Sequence, residues 1–271
     1  MKPMCRLAAY LGPHKALGKL VDSPPHGLYR QSYAAKELET SVVSADGWGA
    51  AWYLDGDPVP CVYRSTLPIW GDANLRDLGR TVDSRCLLAA VRSATDPLGI
   101  AMHNTQPFRF ENLSFVHNGY VEGFRATLRR AVIQNLSDEV YRSVAGDTDS
   151  EYLFAMVAER WRRATTQDAE ERLIEAARGS VLELKRLARE RSLKALCTLV
   201  VCDGQRLVAV RAAQGARSPT LYVRKSESSA IWFASEPLDA SLSGWRAVRD
   251  ESLVVAGSDG GLRELSLSES V

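Results

Sequence analysis

The chain has 271 residues, 45% hydrophobic and 25% charged, and its 34 Lys and Arg against 33 Asp and Glu leave a formal net charge of +1. These proportions exclude disorder, collagen-like repeats and coiled coil as the main state. A charge near zero gives no global pull toward nucleic acid or an anionic bilayer, so the expected partner is a small molecule or another protein.

In chain order, residues 6–11 form a short apolar run that Gly12-Pro13 should close, the pattern of a buried strand. Residues 47–54 and 59–64 read as strands joined by Asp55-Gly56-Asp57-Pro58, a hairpin-type connection. A short helix is expected over 73–82. Apolar strands follow at 86–92 and 113–117, each ending on a polar residue that a sheet edge would present. From Thr148 the pattern turns helical, with Glu151 at capping-box spacing and Leu153, Met156, Val157 and Trp161 on one face. A second helix is expected over 168–191, with Leu173, Ala177, Val181, Leu184 and Ala188 as its stripe. Short strands then fall at 196–202, 206–211, 220–224, 231–234 and 253–256. Strands, two long helices and strands again make an α+β layered pattern, without βαβ alternation.

Absences narrow the chemistry. No phosphate-binding Gly-rich loop and no His-Glu-x-x-His occurs. Five scattered cysteines (Cys5, Cys61, Cys86, Cys197 and Cys202) form no Cys-x-x-Cys pair, which argues against zinc and against a disulfide framework. Cys197 and Cys202 lie five apart in an apolar run and so belong on opposite faces of a strand. No stretch of 18 apolar residues is present, and the run after Arg6 is too short for a signal peptide. A reduced, cytoplasmic protein is expected.

Four segments carry candidate chemistry. Cys5 follows Met4, itself a plausible initiator, and a cysteine with a free α-amine can use that amine as its base. Cys5 reads also as a buried strand cysteine. Arg92 ends an apolar strand, where a guanidinium can fork onto a carboxylate or form a rim salt bridge. In His117-Asn118-Gly119 an amide and the next backbone N–H can point together at an oxyanion; Asn-Gly is also a common hairpin turn. Asp149, in Thr148-Asp149-Ser150-Glu151, can hold an ammonium, although capping explains that segment as well.

Taken in order, Met4-Cys5, Arg92 with Thr95, His117-Asn118-Gly119 and Thr148-Asp149-Ser150-Glu151 resemble the class II glutamine amidotransferases, the cysteine branch of the N-terminal-nucleophile hydrolases. A closer resemblance, to the stand-alone amidohydrolases of ergothioneine biosynthesis, runs through further segments. They are Ser23-Pro24-Pro25-His26-Gly27-Leu28, Gln31-Ser32-Tyr33-Ala34, Ala45-Asp46-Gly47-Trp48-Gly49 and Pro68-Ile69-Trp70-Gly71-Asp72. Ala89-Ala90-Val91-Arg92-Ser93-Ala94-Thr95 and Ala234-Ser235-Glu236-Pro237-Leu238 complete the set. Leu7 stands where that family usually carries histidine, and Asp96-Pro97 where ammonia-transferring relatives carry His-Gly.

The resemblance implies a four-layer αββα sandwich of two antiparallel sheets. It implies one glutamine amidotransferase domain over 5–271, with residues 1–4 absent from the mature protein. Cys5 would be the nucleophile, Asn118 and Gly119 the oxyanion hole, Arg92 the partner of a substrate α-carboxylate and Asp149 of its α-ammonium. The implied reaction removes glutamate from γ-glutamyl-hercynylcysteine sulfoxide. No metal, organic cofactor, nucleic acid, membrane or obligatory synthetase partner is implied. Trp48 and Trp70 read as leaving-group wall or as packing. Two alternatives are a glutaminase subunit passing ammonia to a separate synthetase, and a non-catalytic binding protein of the same fold.

Overall fold

A computed structural model describes residues 5–37, 43–94, 99–239 and 244–268. The expectations for residues 1–4 and for Thr95, Asp96 and Pro97 therefore lie outside the described residues. The first half contains β1 (Arg6–Ala16), α1 (Gly18–Val21), α2 (Leu28–Ala34), β2 (Trp48–Trp52), β3 (Cys61–Ser65), α3 (Leu75–Thr81) and β4 (Asp83–Val91). Next come β5 (Phe108–Phe110), β6 (Leu113–Val121), α4 (Phe124–Thr127), α5 (Arg129–Ile133) and α6 (Asp138–Ser143). Two long helices, α7 (Asp149–Arg163) and α8 (Ala169–Arg189), precede β7 (Ala195–Cys202) and β8 (Arg206–Gln214). The chain ends with β9 (Tyr222–Lys225), β10 (Ile231–Ala234), β11 (Trp245–Ala247), β12 (Ser252–Gly257) and β13 (Leu262–Ser266).

Two sheets result, ordered β11-β9-β10-β1-β4-β2-β3 and β13-β12-β8-β7-β6-β5. Every neighbouring pair is antiparallel. Alternation along β1 accounts for the layering. Leu7, Ala9 and Leu11 enter a core shared with Val116, Val200 and Cys202 of the other sheet. Ala8 and Tyr10 face outward into a second core with Leu17, Leu20 and Leu28. A third core lies under α7 and α8, where Leu153, Val157, Leu173, Ala177 and Val181 meet Phe115, Cys197 and Leu199. Three cores between four layers give the αββα sandwich, and helix, sheet, sheet, helix is the order of burial. Cys197 and Cys202 fall in different cores, as their odd offset requires. Among the described residues no helix is long and apolar enough to cross a membrane.

Three local expectations need correction. β1 does not stop at Gly12-Pro13 but continues to Ala16, because its register against β4 shifts between Leu11 and Lys15. A bulge there lets proline sit in a strand without breaking the ladder on both sides. Gly12 is required at that point, since a Cβ would lie 2.7 Å from Ala230 Cβ. Asn118-Gly119 is not a turn: β6 runs through both residues to Val121, paired with β7. The Thr148 capping box is half formed. Thr148 Oγ1 accepts from the Glu151 N–H at 3.1 Å, but the Glu151 carboxylate accepts instead from the N–H groups of Ala145 and Gly146.

Candidate active site

Antiparallel register brings the first pair of candidates together. Arg6 is opposite Val91, so Cys5 and Arg92, one step beyond each strand end, emerge side by side. The Cys5 thiol lies 4.0 Å from the Ser93 carbonyl. Arg92 is buried and directs its guanidinium to the backbone carbonyls of Gly99 at 3.0 Å and Asp46 at 3.4 Å. Its backbone is pinned as well, donating to the Gly47 carbonyl at 2.7 Å. Among the described residues Arg92 has no carboxylate partner, so the rim salt bridge is not what holds it.

Asn118, Gly119 and Asp149 come from the opposite sheet and its helix. Side-chain alternation turns Val116 and Asn118 toward the first sheet, and His117 toward α7. His117 is buried, and burial lowers its pKa, so the ring is neutral. Its Nε2 lies 2.9 Å from the Leu196 carbonyl, which requires Nε2–H as donor and leaves Nδ1 to accept from Ser150 Oγ at 2.8 Å. The backbone of His117 is gripped by the Gln106 side chain, whose Nε2 donates to the His117 carbonyl at 2.9 Å while its Oε1 accepts the His117 N–H.

That grip fixes the direction of the next groups. N–H groups of alternate residues in a strand point to the same edge. The His117 N–H goes to Gln106 and the Val121 N–H to Asp149 Oδ2 at 2.6 Å, both away from β7. The Gly119 N–H between them points to that same edge. A side chain at 119 would place Cβ 1.9 Å from the Leu196 carbonyl oxygen and 2.5 Å from His117 Nε2, so glycine is imposed by the adjoining strand. Close approach of β7 is thus what selects glycine at 119.

Asp149 opens α7 and is half-buried, with Oδ1 accepting the Ser150 N–H at 2.7 Å. Among the described residues it has no ion-pair partner. Cys5 therefore lies within electrostatic reach of a guanidinium and a carboxylate that have no ion-pair partner among the described residues, and both act on its thiol. Burial pushes the thiol pKa up; the charges of Arg92 and Arg6 oppose this and that of Asp149 adds to it. The thiol is thus protonated at neutral pH and needs a base. No group of three or more His, Cys, Asp or Glu among the described residues is placed to hold a metal ion.

Trp48 is packing: it is buried, donates Nε1–H to Asp72 Oδ2 at 2.9 Å and lies against Tyr63. Trp70 is 40% exposed and meets Tyr33 edge to face at 5.9 Å between ring centroids. Leu7, in the position where histidine was expected, is an inter-sheet core residue. Sequence reasoning gave no role to Arg6, His26 and Glu236, a buried polar cluster joining β1, the turn before α2 and the end of β10. His26 and Glu236 are 210 positions apart. The signals in sequence are the polar pair Ser235-Glu236 after the apolar run 231–234 and the segment around His26 named above.

Comparison with known proteins finds relatives in sequence and in fold. The family described as glutamine amidotransferases class-II matches residues 30–260. A γ-glutamyl-hercynylcysteine sulfoxide hydrolase of Mycolicibacterium smegmatis is 36% identical over 156 residues, 58% of this chain and 68% of that one. The hydrolase of the same name from Mycobacterium tuberculosis is 40% identical over 119 residues, 44% of this chain, and that match spans half of the relative's length. A solved glutamine aminotransferase class-II domain protein from Silicibacter pomeroyi superposes with a TM-score of 0.69 at 26% identity, covering 97% of this chain and 99% of its own.

Proposed function

Because this chain belongs to the class-II glutamine amidotransferases, we propose that it hydrolyses a γ-glutamyl amide with Cys5 as nucleophile, releasing glutamate. The observation that carries this reading is that Cys5 emerges beside Arg92 and within electrostatic reach of Asp149, neither with an ion-pair partner among the described residues. A glutamyl head presents an α-carboxylate and an α-ammonium. One buried cation just after β4 and one half-buried anion at the start of α7 match that zwitterion and reject an uncharged amide.

The chemistry follows from the protonation states. A thiol whose pKa burial has raised is a poor nucleophile unless a base stands beside it. In a chain beginning at Cys5 the α-amine, titrating near 7.7–8.0 in unperturbed form, takes the thiol proton as Sγ attacks the γ-carbonyl carbon. The Asn118 amide and Gly119 N–H donate to the oxyanion. The ammonium so formed protonates the departing amine as the C–N bond breaks, leaving a glutamyl thioester. Water, deprotonated by the same amine, releases glutamate. Removal of residues 1–4, by initiation at Met4 or by processing, belongs to this reading, as does a single domain over 5–271.

The names of the relatives support γ-glutamyl-hercynylcysteine sulfoxide as substrate. A cytoplasmic step of ergothioneine biosynthesis without a synthetase partner belongs to the same proposal. The test is glutamate and ammonia release from a chain beginning at Cys5, offered that sulfoxide and glutamine in parallel, with Cys5→Ala as control. Glutamate from the sulfoxide, little ammonia from glutamine and an inert Cys5→Ala protein are expected. Brisk ammonia release from glutamine would move the assignment to an ammonia-supplying glutaminase.

A further inference from the structure

Ala234-Ser235-Glu236-Pro237-Leu238 has no part in the chemistry above, yet Ser235 touches both halves of it. Ser235 directly follows β10 and is fully buried. Its backbone N–H donates to the Leu7 carbonyl at 2.9 Å, and its Oγ accepts the Leu7 N–H at 3.0 Å, two residues along β1 from Cys5. Its carbonyl is held by Thr220 Oγ1 at 2.9 Å. Across the gap between the sheets, the Asn118 amide lies 3.4 Å from the same Oγ. One hydroxyl thus sits between the strand that carries the nucleophile and the side chain that would receive the oxyanion.

Counting donors and acceptors decides which way that amide faces. A hydroxyl has one proton to give and two lone pairs. With Asn118 Nδ2 toward Ser235, the hydroxyl oxygen accepts twice, from Leu7 and from Asn118, and the buried Asn118 Oδ1 meets no hydrogen-bond partner. Exchanging the oxygen and nitrogen of the amide, which have nearly the same shape, gives Oδ1 a donor and leaves Nδ2 at the buried position without a protein partner. Ser235 Oγ–H then donates to Asn118 Oδ1 and still accepts from Leu7, and Nδ2 becomes a free donor. An oxyanion donor has to be free in this way before substrate arrives, because preorganisation is what makes it effective.

We propose that Ser235 is the positioning residue of the oxyanion hole. Its hydroxyl proton turns Asn118 so that Nδ2 is left for the tetrahedral oxygen, while its backbone and lone pair fix β1 and with it the approach of Cys5. The proposal rests on the reading of Asn118 as oxyanion donor and adds the residue that orients it.

The test is steady-state kinetics of Ser235→Ala, Ser235→Thr and Asn118→Ala, singly and with Ser235→Ala and Asn118→Ala combined. Ser235→Ala should lower kcat by about tenfold to a hundredfold with KM nearly unchanged, since a misoriented donor is missed only in the transition state. Ser235→Thr keeps the hydroxyl and should recover most of kcat. In the Asn118→Ala background the Ser235→Ala change should cost little more, because the two act through one group. An equal fall in both backgrounds would assign Ser235 to holding Leu7 alone and overturn the proposal, as would an unchanged kcat in Ser235→Ala. Should Ser235→Ala fail to fold by thermal unfolding, Ser235→Cys, whose thiol is a weak donor, replaces it against Ser235→Thr. Full activity in Cys5→Ala or Asn118→Ala would bring down the underlying reading, whereas slow Cys5→Ala and Asn118→Ala with a fast Ser235→Ala would remove Ser235 alone.

Discussion

Arg6 and Glu236 form a buried ion pair, N to O 3.5 Å, with each side chain 1% exposed. The carboxylate also accepts from His26 Nε2 at 2.7 Å and from the N–H groups of Lys36 and Glu37 at 2.9 and 3.0 Å. Arg6 Nη1 in turn reaches the Cys5 carbonyl at 3.3 Å, so the buried pair holds both the loop after α2 and the backbone of the residue that carries the thiol. Glu236→Ala would strand a buried guanidinium and two backbone donors. A loss of about 3–5 kcal/mol is expected in urea unfolding at neutral pH.

The same carboxylate sets an acid limit. Burial pushes the Glu236 pKa up, but the hydrogen bonds from His26, Lys36 and Glu37 and the charge of Arg6 outweigh that and hold it below the ordinary glutamate value. A pKa depressed by folding contributes stability that is present above the unfolded value, near 4.3, and is lost as pH falls through the lower folded one. Urea midpoints should therefore drop below about pH 4.3, and the drop should be shallower in Glu236→Gln. Equal slopes in the two proteins would place the acid limit elsewhere.

Residues close in sequence made the fold legible and residues distant in sequence hid the site. The apolar runs behind β7 and β10 and the stripes of α7 and α8 are local periodicities, and each falls within about two residues of its expected place. Strands β5 and β11, three residues each, and α1 of four residues are too short to show a period. Asn118-Gly119 carries a turn signature inside a strand, because the choice of glycine is made by the Leu196 carbonyl of a partner that lies far along the chain. Cys5, Arg92, Asn118 and Asp149 were legible through a resemblance in motif order. Ser235 and Glu236 were quoted in a motif without a role, since their partners Leu7, Asn118, Arg6 and His26 are assigned only by the packing of two sheets.

Gly119→Ala tests whether the strand packing argument is right. A Cβ 1.9 Å from a carbonyl oxygen of the neighbouring strand cannot be relieved by rotating a side chain. The backbone of β6 or β7 must move, at a cost of about 1–3 kcal/mol or more. Reduced soluble yield and a lowered Tm are expected, together with loss of turnover as the Gly119 N–H shifts. A Tm equal to that of the parent protein would show that β6 has room here.

The two unpaired charges make opposite demands on substrate. Arg92→Ala should lower kcat/KM for the γ-glutamyl substrate by about tenfold to a hundredfold, the worth of a charged hydrogen bond lost. Arg92→Lys should recover only part of this, because a point charge cannot fork onto a carboxylate. Substrates lacking the α-carboxylate should be turned over equally slowly by the parent and by Arg92→Ala, and substrates lacking the α-ammonium should behave likewise with Asp149→Asn. Asp149→Asn also weakens the acceptor for the Val121 N–H, so its Tm is to be measured beside its kinetics. If Arg92→Ala discriminated between the full and the truncated substrates as strongly as the parent does, the α-carboxylate would be held elsewhere.

The pH dependence of kcat/KM separates the two groups that could activate Cys5. Burial raises the thiol pKa above its ordinary value despite the help of Arg92 and Arg6. If the thiol activated itself, the rate would climb without a plateau past the ordinary thiol range, about 8.5. If the α-amine is the base, a chain beginning at Cys5 should gain activity as that amine loses its proton, with a midpoint near 7.7–8.0 and a plateau above it. Acetylation of the amine should abolish turnover while leaving the thiol open to slow alkylation. A chain retaining Met1 to Met4 should lack the plateau and most of the rate at pH 7.5, because the thiol is there without its base. Activity in that longer chain equal to the shorter one, with intact mass confirming all four residues, would exclude the amine and leave Cys5 dependent on some other acceptor.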